Sequence, residues 1–268
     1  MRFRRRAARL AIVVAMLSIG CGRGGGLFAP QYEYEEDLTL SLDGSATLVV
    51  NSSIPALVAL RGLPLDPNPK VRPDIPTLRQ WYTSPYAQVQ RVSQWTRNGR
   101  RYVGVRLRVP DIRLLSKAVP FSWMQYELQR EDATVVFRET LGAPAFKAGT
   151  LGYTGWKGGE LVAFRLHLPS RINYYNARDV DTNQARGIQR GNIITWEQHL
   201  PDRLEGKPIA WQDGVPGVME VRMDNQSILY RTLWLFGLAF LAAVAVLALL
   251  IWLTMRKGRG EDRGVASR

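Results

Sequence analysis

Cysteine and histidine are nearly missing from this 268-residue chain: Cys21 is the single thiol, and His167 and His199 are the two imidazoles. One cysteine excludes an internal disulfide framework and any multi-thiolate metal centre, and two histidines leave little for a His-based cluster. The glycine run over residues 22–26 follows a leader rather than a strand and reads as a loop, not a dinucleotide cradle, and neither a Walker spacing nor a Gly-x-Ser-x-Gly elbow occurs. These gaps point away from an enzyme and away from any cofactor.

Charge is missing in two places. Residues 1–21 carry five Arg and no acid, and residues 232–255 carry no charge. The formal net charge of +13 is therefore uneven: +5 belongs to residues 1–21, +5 to the 210 residues 22–231, and +3 to residues 256–268. A basic balance distributed this way reports topology rather than nucleic-acid binding, and no nucleic acid is expected as a partner.

Arg2, Arg4, Arg5, Arg6 and Arg9 precede an apolar run over residues 10–19, too short to cross a bilayer comfortably, which reads as a secretory signal occupying residues 1–21. Small residues at Ser18 and Gly20 stand before Cys21. A cut there leaves Cys21 as the first residue, available for lipidation, although Leu17 stands one place earlier than a lipobox leucine and an ordinary signal-peptidase site fits equally. Residues 22–31, rich in glycine, read as a flexible spacer.

The uncharged run is long enough to be a transmembrane helix, expected over residues 230–255, since about 20 residues span ~30 Å of hydrocarbon. Tyr230, Trp234 and Trp252 stand where amphipathic rings favour the headgroup region. Arg256, Lys257 and Arg259 follow in a basic tail, residues 256–268, and positive residues are retained in the cytoplasm. The bulk of the chain, residues 32–229, then lies outside it.

That segment is patterned as strands. Leu38, Leu40 and Leu42 alternate with polar residues, Asp43-Gly44 offers a hairpin turn, and residues 46–50 resume the apolar pattern. A second hairpin joins residues 88–96 to 102–109 through Asn98-Gly99, with Val103, Val105, Leu107 and Val109 facing inward. A third pairs residues 121–130 with 133–140, and later strands are predicted over 161–168, 192–198 and 218–223. Short helices are predicted over 55–60, 75–82 and 111–118. The expected fold is α+β, a mainly antiparallel sheet with short helices on one side.

Among polar groups, Glu33, Glu35, Glu36 and Asp37 read as a solvated edge, Asp179 and Asp181 as part of a polar loop, and His167 as a half-buried strand residue. Arg97, Arg100, Arg101, Arg106 and Arg108, with Trp95 and Tyr102 among them, are the candidate anionic-surface group, against the plainer reading of a solvated sheet face.

The leader ending at Cys21, the Leu-rich opening strand with Asp43-Gly44, the runs over residues 164–170 and 191–196, and the terminal helix with its basic tail together resemble LppM-like bacterial lipoproteins. The resemblance implies an exported, barrel-like domain associated with envelope lipids, and no ligand residues carry over. The expected role is a membrane-anchored extracytoplasmic module binding an envelope protein. The alternative is a lipid or glycolipid carrier, which requires a continuous apolar cavity of several hundred Å3.

Overall fold

The computed structural model describes residues 32–68, 71–147 and 149–265, with side chains as far as Thr254. The chain divides into Met1–Gln31 and Tyr32–Arg268, and only the second unit falls within the described residues. The signal, the spacer and Cys21 lie outside them.

The domain is α+β. Strands β1 (Tyr32–Leu40), β2 (Ala46–Ser53), β3 (Gln88–Arg97), β4 (Arg100–Val109), β7 (Leu161–His167) and β9 (Ile193–His199) form a six-stranded sheet in the order β3-β4-β2-β1-β7-β9. Strands β5 (Met124–Glu131), β6 (Thr134–Leu141), β8 (Ile172–Tyr175) and β12 (Val218–Asp224) form a four-stranded sheet in the order β5-β6-β12-β8. A small hairpin, β10 (Trp211–Gln212) and β11 (Val215–Pro216), stands apart from both. Both large sheets have free edges, so the architecture is open and not the barrel that the resemblance implied.

Pairing is antiparallel except between β1 and β7, which run parallel. A parallel partner is reached by a long crossover and leaves no turn signature, so this pair was not legible locally. The hairpins are as expected. Asn98 and Gly99 adopt φ of 50° and 72°, the two positive values of a type I′ turn.

Period-2 alternation explains the core. Leu38, Leu48, Val105, Leu107 and Phe164 from the large sheet meet Val135, Phe137, Val221 and Met223 from the small one in a single buried cluster. Each such side chain contributes about 1.5–3 kcal/mol by leaving water.

Helix α1 (Ile54–Arg61) is apolar on every side and buried from Ile54 to Leu60, filling space beside both sheets. Ser53 caps its start by accepting from the Ala56 N–H, Pro55 occupies the first turn, and Gly62 at φ 66° closes its end. Helix α2 (Ile75–Tyr82) buries only Leu78 and Tyr82. The segment predicted over residues 111–118 is a 3-10 turn, Ile112–Lys117, capped by Asp111. Helix α3 (Leu200–Leu204) and strand β8 were not anticipated, being too short to show a period.

Helix α4 (Ile228–Val265) starts two residues before the predicted span and continues past it. Its 27-residue segment Ile228–Thr254 is long and apolar enough to cross a membrane, about 40 Å at 1.5 Å per residue, and none of its most apolar window is buried against the domain.

Candidate functional site

The five arginines do not form one patch. Arg100 is buried, with Nη2 2.6 Å from Glu33 Oε1 and Nη1 bonded to the Gly155 carbonyl. Arg97 is half-buried, its Nη2 donating to the Tyr32 carbonyl at 2.5 Å and its guanidinium 4.3 Å from the Tyr102 ring centre. Arg101 reaches Thr96 Oγ1 at 3.1 Å. Arg106 and Arg108 alone of the five are exposed, side by side on the outer face of β4. Tyr102, expected at a surface, is buried, stacks on Trp95 at 5.6 Å and donates to Glu33.

The solvated acidic edge is likewise corrected. Glu33 and Glu36 are 2% and 3% exposed, while Glu35 and Asp37 are half-buried and meet Arg165 Nη1 at 2.9 and 3.6 Å. His167 is half-buried as expected, with Nε2 3.2 Å from Asp37 Oδ1.

Glu36 faces the core with Tyr34, Leu38 and Leu40, a placement its position in the alternation already implies. It pairs with Arg61, whose guanidinium lies 4.9 Å from the Tyr34 ring, 5.1 Å from Phe121 and 4.4 Å from Trp123. Glu139 shares the inward parity of Val135 and Phe137 and lies close enough to feel both groups. Burial raises the Glu36 carboxyl, and burial followed by the Glu36 charge raises Glu139. Desolvation lowers Arg61 and Arg203 to about 10. This interior network ties α1, β1, β6 and α3 together.

A groove of about 720 Å3 lies where β9, α3 and the β10–β11 hairpin meet. Its β9 wall lies far from α4 by register, while its β8 wall, Tyr174 and Tyr175, pairs with β12 at Arg222 and Val221. His199 pairs with Leu161, whereas His167, six residues along β7, adjoins Pro169, whose carbonyl accepts from Ile228 N–H at 2.9 Å. Six residues of strand span about 20 Å.

The groove wall is preorganised. Glu197 accepts from Arg186 Nη1 at 2.5 Å, from Nη2 at 2.7 Å and from the Tyr32 hydroxyl. Burial and then this bond to Glu197 push the Tyr32 phenol up. Asn176 donates to the Val218 carbonyl at 2.8 Å and the Trp211 carbonyl at 3.1 Å, and accepts from Trp196 Nε1 and Glu220 N, both at 3.0 Å. Gln198 is buried and gives its Nε2 to the Lys207 carbonyl at 2.9 Å, while its Oε1 has no partner among the described residues. Trp211, 59% exposed, stands at the rim, and the Tyr174 ring lies beneath the Arg222 guanidinium at 5.0 Å. Such a site offers flat aromatic surface, an unpaired acceptor and charges of both signs.

No set of three His, Cys, Asp or Glu side chains has metal-holding geometry among the described residues. Tyr230, Trp234 and Trp252 are exposed on α4, the first two in ring contact at 6.5 Å. Arg256, Lys257 and Arg259 continue the helix, and their side chains lie outside the described part.

No known family pattern and no curated protein matches the chain. Among solved structures it is similar to the folded domain of LppM from Mycobacterium tuberculosis, determined by NMR, at 14% identity. The match covers 76% of this chain and 95% of that one with a TM-score of 0.34. The likeness is a weak one of fold, and no residue role is carried across from it.

Proposed function

We propose that this protein is a membrane-anchored extracytoplasmic binding module of the cell envelope, held by α4 and presenting its polar groove away from the lipid to a protein partner. The observation carrying this reading is an apolar 27-residue helix left wholly uncovered by the domain. In water, that much apolar surface would be strongly unfavourable, whereas in lipid a helix satisfies its own backbone. The connection is short and tied down. Asp224 N donates to the Arg171 carbonyl, Asn225 N to the Ala133 carbonyl, and Ser170 Oγ to the Gln226 carbonyl at 2.9 Å, while Arg231 meets Asp224 at 3.1 Å.

The lipid-carrier alternative needs an apolar cavity, and the groove is lined by Asp179, Glu197, Gln198, His199, Asp202 and Lys207 alongside its aromatics. That lining favours a module that grips a polar partner. On the same reading, residues 1–21 direct export, Cys21 is a lipidation site and residues 256–268 stay in the cytoplasm.

Protease added to intact spheroplasts tests the arrangement. The domain is expected to be digested while an epitope placed after Arg268 is spared, and full protection of the domain overturns the reading. Metabolic acyl labelling lost in Cys21→Ser tests the lipid site separately.

A further inference from the structure

Around the end of the domain nearest α4, strand register lines up four residues on the outer face of the large sheet. His167 pairs with Thr39, Thr39 with Thr47, and Thr47 with Arg108. Directly opposed residues share a face, so these side chains form one row across β7, β1, β2 and β4. A depression of about 340 Å3 opens there, lined by Thr39, Ser41, Ser45, Thr47, Gln90 and Arg108.

Two features give the depression a chemistry. Arg108 is exposed and its guanidinium makes no ion pair or hydrogen bond among the described residues, whereas its neighbour Arg106 reaches Gln90 Oε1 at 3.3 Å. Four hydroxyls surround it, and a guanidinium with hydroxyl donors is a set matched to a phosphate oxyanion. The nearby acids are engaged: Asp43 accepts from Ser45 N at 2.8 Å and Ser45 Oγ at 2.7 Å, Asp111 pairs with Arg113 at 2.8 Å, and Asp37 faces Arg165 and His167.

Position supplies the partner. Pro169 lies two residues beyond His167 and holds the first turn of α4, which puts the His167 end of the row within about 7 Å of the helix start along the strand, with Arg108 three strands, about 14 Å, across the sheet. The β1–β2 turn is also tied toward that end, through Arg130 Nη2 on the Leu42 carbonyl at 3.2 Å and the Asp132 carbonyl accepting from Asn225.

We propose that Arg108, with Thr39, Ser41 and Thr47, binds the headgroup phosphate of a phospholipid in the leaflet that α4 enters, fixing the domain's tilt on the membrane. This rests on the anchored reading and adds a second contact with the bilayer.

The full chain is to be compared in phosphatidylglycerol nanodiscs and in maltoside micelles, with arginine modification by phenylglyoxal followed at each site by mass spectrometry. Arg108 is expected to react several-fold more slowly in the nanodiscs, while Arg178, exposed at the distal groove, reacts equally in both. Thr47→Val is expected to remove most of that protection, because it deletes one hydroxyl and keeps the strand. Equal Arg108 rates in both media overturn the proposal, as does full protection persisting in Thr47→Val, which would mark mere nearness to lipid. Protection by inorganic phosphate in micelles without protection in nanodiscs overturns it in favour of a free-oxyanion site. Failure of the chain to co-elute with nanodiscs overturns the anchored reading itself, and this proposal with it.

Discussion

The two ends of the domain solve opposite problems. Toward the β1–β2 turn, the row ending in Arg108 is underused: its guanidinium has no partner among the described residues and its hydroxyls line a surface depression. In the groove the wall is held in place, with Glu197 bonded to Arg186 and Tyr32, and the Asn176 side chain making five hydrogen bonds. A wall that must keep its shape for a macromolecular partner benefits from locked side chains, whereas a contact with mobile headgroups gains from a cation left free to adjust. The difference teaches that exposure and preorganisation separate the two surfaces more clearly than charge does.

Removing residues 228–268 should produce the largest effect. The domain is expected to move completely from the membrane fraction to the supernatant with its thermal transition little changed, because α4 contributes none of the core. A chain that remains with membranes after this truncation would erase the distinction between the ends.

Arg186→Ala comes next. It leaves the Glu197 carboxylate, 4% exposed, without its bidentate partner, and urea unfolding should report a loss of about 3 kcal/mol. Arg108→Gln, by contrast, should stay within about 0.5 kcal/mol of the parent, since nothing in the domain relies on that guanidinium.

The interior network between the ends makes stability pH-dependent. Glu36 and Glu139 are raised by burial well above the ordinary glutamate value of about 4.3, so the folded state holds protons that the unfolded chain releases. Their stabilising contribution is full below that value and is lost as pH rises through the elevated folded values. Glu139→Gln should therefore gain stability relative to the parent as pH climbs above the ordinary glutamate value, measured as the difference in melting temperature across a pH series. A constant difference would show that the Glu139 carboxyl titrates alike in the folded and unfolded chain.

Trp211→Ala should be the mildest for folding, within about 0.5 kcal/mol given its 59% exposure, yet it should abolish partner crosslinking from a photoreactive group placed at Tyr174. Unchanged crosslinking would remove Trp211 from the partner surface and leave the groove base as the contact.

Several of these features were legible residue by residue. The Asp43-Gly44 and Asn98-Gly99 turns, the inward set Val103, Val105, Leu107 and Val109, and the uncharged run over residues 232–255 each follow from local periodicity or turn chemistry. The parity of β1 also placed Glu36 inward, although four consecutive acids suggested a solvated edge. What the parity did not contain was the partner: Arg61 lies 25 positions away at the end of α1, and Arg100 reaches Glu33 across 67 positions. The groove was illegible for the same reason, because Tyr32 and Glu197 meet only when β1, β7 and β9 align, and Tyr174 and Trp211 arrive from β8 and the β10–β11 hairpin.

By itself, the sequence determined the period, the turns and the one segment too apolar for water, since these depend on neighbours within a few residues and on transfer energies that composition sets. The tertiary structure decided which charges are buried, which arginines find partners and which polar groups share a wall. Those outcomes depend on strand order and on the parallel β1–β7 crossover, where contacts between distant residues fix the local dielectric and the available partners.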